Sequence, residues 1–133
     1  MTRASRAPAG RKARGYAAEA IARAYLELRG YTIVAANVRD GPRELDLVAE
    51  QGALVVFVEV KFREDDRFGG VRRALAPAQR LELERAAVAW LKATGRAGRP
   101  VRFDLVGIEF SGHDGLTLAH FPGAFGGSGR FVM

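Results

Sequence analysis

One stretch limits what this chain can fold into more than any other: Leu54-Val55-Val56-Phe57-Val58-Glu59-Val60-Lys61-Phe62. Its β-branched and aromatic content predicts a strand. Side chains alternate between the faces of a strand, so Leu54, Val56, Val58, Val60 and Phe62 form one unbroken apolar face. Val55, Phe57, Glu59 and Lys61 form the other, which begins apolar and ends with an acid beside a base. Such a strand lies on a core and carries either a salt-bridged end or a site.

The neighbouring segments favour a site. Glu44 to Ala49 reads as a second strand, with Leu45, Leu47 and Ala49 on one face and Glu44, Asp46 and Val48 on the other. A tight turn at Gln51-Gly52 joins it to the first stretch as an antiparallel hairpin. That register sets Val48 opposite Val55, Asp46 opposite Phe57 and Glu44 opposite Glu59. It puts Leu45 and Leu47 on the face of Val56 and Val58, and gathers Glu44, Asp46, Glu59 and Lys61 on the other. Two carboxylates about 5 Å apart repel by roughly 3 kcal/mol at an effective dielectric near 20. Lys61 offsets one of them, and a divalent cation would offset the rest.

The rest of the chain supplies the frame. Residues 1–10 read as a disordered basic arm, 11–121 as a single domain and 122–133 as a Gly-rich tail. A helix is expected over 11–29, stopped at Gly30, with Ala17, Ile21, Ala24 and Leu28 on its packing stripe. Glu19 lies off that stripe, where an i,i+4 pair with Arg23 is the plain structural reading. Tyr31 to Ala36 reads as a strand and Asn37 to Pro42 as a loop. Glu64 to Ala76 reads as a mobile loop. Pro77 opens a second helix, running to about Thr94-Gly95, with Gln79, Leu83, Ala86, Ala87, Trp90 and Leu91 on one face. Strands follow at 102–110 and 116–121. The order is α-β-β-β-α-β-β, an α/β (α+β) mixed sheet with flanking helices.

Composition removes several function classes. With 133 residues and 48% hydrophobic content the chain can bury a real core. It has no run apolar enough to span a membrane and no apolar core of a secretory signal. It has no cysteine, which excludes disulfides, thiolate zinc sites and cysteine nucleophiles and fits a cytoplasmic location. His113 and His120 are read as surface or strand-end residues. The net charge of +6 comes mostly from Arg3, Arg6, Arg11, Lys12 and Arg14; without those five, 16 basic residues stand against 15 acidic. A basic arm of this kind seeks phosphate or merely keeps the chain soluble.

Asp46, followed thirteen residues later by Glu59-Val60-Lys61, is the pattern D…ExK. Phosphodiester hydrolysis calls for these residue types. A metal neutralises phosphate and lowers the pKa of attacking water. Mg²⁺ takes oxygen ligands and keeps several waters, so two carboxylates and the Val60 carbonyl suffice. Lys61 can orient the water or stabilise the charge that develops on phosphorus.

The chain resembles the YraN-like family of bacterial proteins, within the PD-(D/E)xK restriction-endonuclease-like superfamily, and looks like archaeal Holliday junction resolvases. The likeness covers about 15–108. It rests on Glu19, Tyr25-Leu26, Gly30-Tyr31, Asn37, Arg39, Arg43-Glu44-Leu45-Asp46-Leu47-Val48, Val56 to Lys61, Arg63, and Arg102-Phe103-Asp104-Leu105-Val106. The resemblance implies a restriction-endonuclease-like core and a Mg²⁺-dependent (or Mn²⁺-dependent) nuclease acting on branched or structured DNA. It makes Asp46 and Glu59 metal ligands, Lys61 the catalytic lysine, Glu19 a further metal-reaching acid, and Glu44 and Gln79 supporting groups. Arg43 and Gln79 depart from the family pattern, where a glycine and often a lysine are expected. Lys12, Arg39, Arg63, Arg67, Arg72 and Arg73 are candidate phosphate contacts. Resolvase-like members act as dimers, so a homodimer is the expectation by analogy. The rival reading is a nucleic-acid-binding or assembly protein that keeps the fold without turnover.

Overall fold

The computed structural model describes residues 11–63, 77–111 and 115–125. The basic arm, the 64–76 loop with Arg67, Arg72 and Arg73, His113, the end of the tail, and the side chains of Lys12 and Arg63 lie outside the described residues. The elements are α1 (Arg11–Leu28), β1 (Thr32–Asp40), β2 (Arg43–Gln51), β3 (Leu54–Arg63), α2 (Pro77–Ala93), β4 (Val101–Ser111) and β5 (Gly115–Phe125). They form one mixed sheet in the order β1-β2-β3-β4-β5. Only β3 and β4 are parallel, and a parallel neighbour requires a crossover, here the segment carrying α2. This α+β architecture is that expected from the sequence and is consistent with a restriction-endonuclease-like fold. No helix among the described residues is long and apolar enough to cross a membrane.

β3 is central because both its faces are covered. Val56, Val58 and Val60 pack with Ala18, Ala22 and Leu26 of α1. Val55 and Phe57 pack with Leu83, Ala86, Ala87 and Leu91 of α2. The alternation read from the sequence is therefore correct, and the half-apolar second face is a second core.

α1 is turned from its expected stripe. Its fully buried residues are Ala18, Ala22 and Leu26, with Ala17, Ile21 and Tyr25 only partly covered. Leu28, expected inside, is 87% exposed. An alanine-rich helix carries small residues on adjacent stripes, so apolar periodicity does not choose between them; small side chains let the chosen stripe approach the sheet closely. The helix ends as expected. Gly30 sits at φ 94°, its N–H donates to Glu27 O at 3.1 Å and Tyr31 N–H donates to Leu26 O at 3.0 Å. That pair of bonds is the Schellman cap, for which glycine is the unstrained residue.

Three local expectations also shift. Asn37 to Asp40 belong to β1 rather than to a loop, and the hairpin closes through Gly41-Pro42 with Asp40 opposite Arg43. The β2–β3 turn is Gly52-Ala53, so Gln51 faces Leu54 and Val48 faces Phe57, two residues from the register expected. A slip of two keeps every side chain on its face, so the facing pattern cannot distinguish the two registers. β5 runs on to Phe125, whose ring packs on Phe103 with centroids 5.2 Å apart.

Candidate metal centre

The site arises where β2 leaves β3. Their pairing runs from Gln51↔Leu54 to Leu47↔Val58 and goes no further. Val60 N–H is then without a β2 carbonyl, and Asp46 Oδ2 accepts it at 2.8 Å. The side-chain alternation of β2 breaks at the same point. Leu47 belongs to the α1-side core and Leu45 to the α2-side core, against the expectation that both share a face. Across the ladder, between Ala36↔Leu47 and Val38↔Leu45, lies Asn37. Its φ of 52° is the only positive value at a non-glycine position among the described residues. Asparagine tolerates that left-handed region better than most residues.

This break puts Asp46 between two groups. Toward α1 stand Glu19 and Glu44, and the three carboxylates offer oxygens within 4.8 Å of one another. Asn37 Nδ2 donates to Glu19 Oε1 at 3.0 Å. Glu19 therefore does not form the expected pair with Arg23, which instead approaches Glu27 at 3.7 Å. On the other side stands Glu59, 6% exposed and near enough for its charge to act on Asp46. Lys61 Nζ lies 3.4 Å and Arg43 Nη2 3.7 Å from the same Glu59 Oε2.

The structure thus brings together Glu19, Glu44, Asp46, Glu59 and Lys61 around Val60. Glu44 is a full member of the three-acid group rather than a bystander. Glu59 stands outside that group, joined to it through Asp46. Gln79 is half-buried in the first turn of α2, and Arg39 is exposed on β1 opposite Glu44. Sequence reasoning assigned no site role to Asn37 or to Arg43. The signal for Asn37 was an asparagine inside an otherwise strand-like run, where that residue is disfavoured.

Electrostatics separates this site from an ordinary surface cluster. Burial, with the Glu59 carboxylate second, pushes Asp46 up to about 8, although the Val60 N–H bond works the other way. Burial also raises Glu59, while Lys61 and Arg43 oppose the rise. The cause of the desolvation is visible: Leu45, Phe57, Leu83, Phe103 and Phe125 wall a small recess beside both carboxylates. Two neighbouring carboxyls screened from water in this way disfavour each other's ionised form. Hard carboxylate oxygens in this number could hold a divalent cation.

A second polar cluster lies on β4 and β5. Asp104, fully buried, accepts from Arg102 Nε at 2.7 Å, Arg102 Nη2 at 2.8 Å and Gly123 N at 3.0 Å. His120 Nε2 lies 2.7 Å from Asp104 Oδ2, and Tyr25 Oη 3.0 Å from His120 Nδ1. Arg102 also donates to Tyr31 Oη at 2.6 Å. Burial alone would raise Asp104, but these donors outweigh it and hold its carboxyl below the usual range. His120, read from sequence as a surface or strand-end residue, is a half-buried link between β5, β4 and α1.

Fold and site together give a protein whose mixed five-stranded sheet is consistent with a restriction-endonuclease-like fold, with a half-buried acidic cluster and an adjoining lysine. The profile of the uncharacterised protein family UPF0102 matches residues 18–108. A UPF0102 protein of Anaeromyxobacter dehalogenans is 38% identical over 91% of this chain and 90% of its own length. One from Xanthomonas campestris pv. campestris is 46% identical over 82% of this chain and 88% of its own. A third, from Shewanella denitrificans, is 41% identical over 84% and 97% respectively. The chain belongs to the UPF0102, or YraN, family.

Proposed function

We propose that this protein is a metal-dependent endonuclease that hydrolyses phosphodiester bonds of DNA, with branched or otherwise structured DNA as its substrate class. The observation that carries the reading is the gathering of the Glu19, Glu44 and Asp46 carboxylates within 4.8 Å of one another, with Glu59 and Lys61 beside them on β3. Glu19, Glu44 and Asp46 would hold the cation, with Glu59 and the Val60 carbonyl as the further oxygens on β3. A divalent ion bound there neutralises phosphate charge and lowers the pKa of an attacking water. Asp46 must give up its proton to become a ligand. Lys61, held by Glu59, orients the water and stabilises the added negative charge as the new oxygen–phosphorus bond forms and the bond to the leaving oxygen breaks. Apolar walls around Asp46 and Glu59 keep the local dielectric low, which strengthens each of these interactions. Exposed Arg39, together with Lys12, Arg63, Arg67, Arg72 and Arg73, is proposed to contact phosphates.

The deciding experiment is cleavage of labelled duplex, single-stranded, flap and four-way-junction DNA with Mg²⁺ or Mn²⁺. Glu59→Ala, Lys61→Ala and EDTA serve as controls. The reading expects cutting of at least one substrate, with each control lowering the rate at least about 100-fold. No cutting of any substrate, with salt-dependent binding of structured DNA retained, would transfer the protein to the binding-module class.

A further inference from the structure

Arg43 is not needed to hold a metal and is not a nucleophile, yet it stands in the site. Its side chain is 20% exposed and its Nη2 lies 3.7 Å from Glu59 Oε2. That distance is beyond a hydrogen bond. The guanidinium therefore feels the charge of Glu59 without forking onto it. Its Nε is a buried donor with no acceptor among the described residues. A buried donor left unmade costs about 1–3 kcal/mol, which an anion would recover once a turn of the part-exposed side chain brings the Nε–H edge to it.

The charges around it have a direction. Glu19, Glu44 and Asp46 form the α1-side flank of the site. Arg43 and Lys61 converge on the single oxygen Glu59 Oε2 on the other flank. Two cations share one carboxylate there, so among the described residues that flank carries surplus positive charge even with Glu59 ionised. Were Glu59 to serve a cation, the surplus would grow. The group that satisfies it must be an anion able to lie between an acid-held metal and an arginine. Its oxygens must also accept from Nε–H and a neighbouring Nη–H together. A phosphate group has that charge and geometry, and side-on forking by arginine is its usual recognition.

We propose that Arg43 is a phosphate-binding residue of this centre, which takes a non-bridging oxygen of the DNA backbone through its Nε–H edge and so fixes which side of the phosphate faces the acids. The proposal rests on the phosphodiesterase reading and gives that site its substrate polarity. Arg43 comes from β2, whose departure from β3 creates the acid cluster, so one break in pairing supplies both halves of the site.

The test measures DNA and metal binding separately in the full chain. Affinity for a fluorescein-labelled four-way junction is read by anisotropy over a salt series, in EDTA and in Ca²⁺. Mn²⁺ binding is read by calorimetry without DNA. Wild type, Arg43→Lys and Arg43→Gln are compared, each checked by thermal unfolding. The expected result is an affinity loss of about tenfold or more for Arg43→Gln, with the log–log salt slope reduced by about one. Arg43→Lys should keep the salt slope but lose about three- to tenfold in affinity, because a lysine supplies charge without the fork. Mn²⁺ affinity should stay within about twofold of wild type. Equal junction affinity in all three proteins would overturn the role of Arg43 while leaving the site reading intact. Loss of Mn²⁺ affinity in Arg43→Lys would also overturn it, making Arg43 a group that positions Glu59. A wild type that binds neither Mn²⁺ nor junction would sink the phosphodiesterase reading itself, and this inference with it.

Discussion

Asp46 and Asp104 are both aspartates screened from water, on the two strands that flank β3 in one sheet, yet the protein treats them oppositely. Asp104 receives an arginine fork, a backbone N–H and a histidine, and its carboxyl is held low. Asp46 receives one backbone N–H and faces three other carboxylates, and it is pushed up to about 8. A structural acid is neutralised by the chain that buries it. An acid whose neighbours are also acids is left for a cation from outside. The contrast distinguishes a scaffold network from a site by whether charge is balanced internally.

The largest expected effect breaks the scaffold side. Asp104→Ala leaves Arg102 beside an empty acceptor site and unlinks His120 from β4; it should cost about 3–5 kcal/mol in urea unfolding. The sign of its pH dependence follows from a lowered pKa. The Asp104 contribution is present above the ordinary carboxylate value near 4 and is lost as pH falls through its folded value. The wild-type advantage over Asp104→Ala should therefore shrink only below about pH 4.

Next comes cation binding at the other aspartate. Mn²⁺ at about 100 times its dissociation constant should add about 2.7 kcal/mol to stability. Because Asp46 must lose a proton, that gain should be larger at pH 8.5 than at pH 6, and Glu44→Gln should abolish most of it. Calorimetric unfolding with and without Mn²⁺ at both pH values checks it. A gain independent of pH would show that Asp46 is not a ligand.

Asp46→Asn gives the smaller, opposite effect to Asp104→Ala. A carboxyl whose folded pKa is raised stabilises fully below its ordinary value and loses that stability as pH rises through about 8. Asparagine keeps an oxygen for Val60 N–H and removes the repulsion. Metal-free Asp46→Asn should thus be more stable than wild type by about 1–3 kcal/mol at pH 9 and similar to it at pH 4. The smallest change is Asn37→Gly. Glycine accepts the left-handed backbone at little cost, so thermal unfolding should move by less than about 1 kcal/mol. Mn²⁺ affinity should fall severalfold because Glu19 loses the Nδ2 donor that holds it.

Much of this was legible before any coordinates. Alternation along residues 54–62 gave the central strand, and the D…ExK spacing singled out Asp46, Glu59 and Lys61. What failed had a common cause. The β2–β3 register was missed by two residues, because a two-residue slip preserves the facing pattern. The stripe of α1 was missed because alanine is apolar on every side. Leu45 was put on the wrong face because alternation assumes continuous pairing, and pairing stops at Leu47. His120 and Asp104 lie 16 residues apart in sequence and become partners only because β4 and β5 pair, so no local pattern marked the histidine as internal.

Local periodicity, charge spacing and turn residues determined the element order, the strands that face a core and the identity of the principal acids, since those depend on neighbours in the chain. Tertiary structure alone decided that β2 leaves β3 at Asp46, that α1 turns Glu19 toward it, and that Arg43 keeps a buried donor unmade. Each of these depends on which residues become neighbours across the sheet, and the cost of gathering like charges can be judged only once those distances exist.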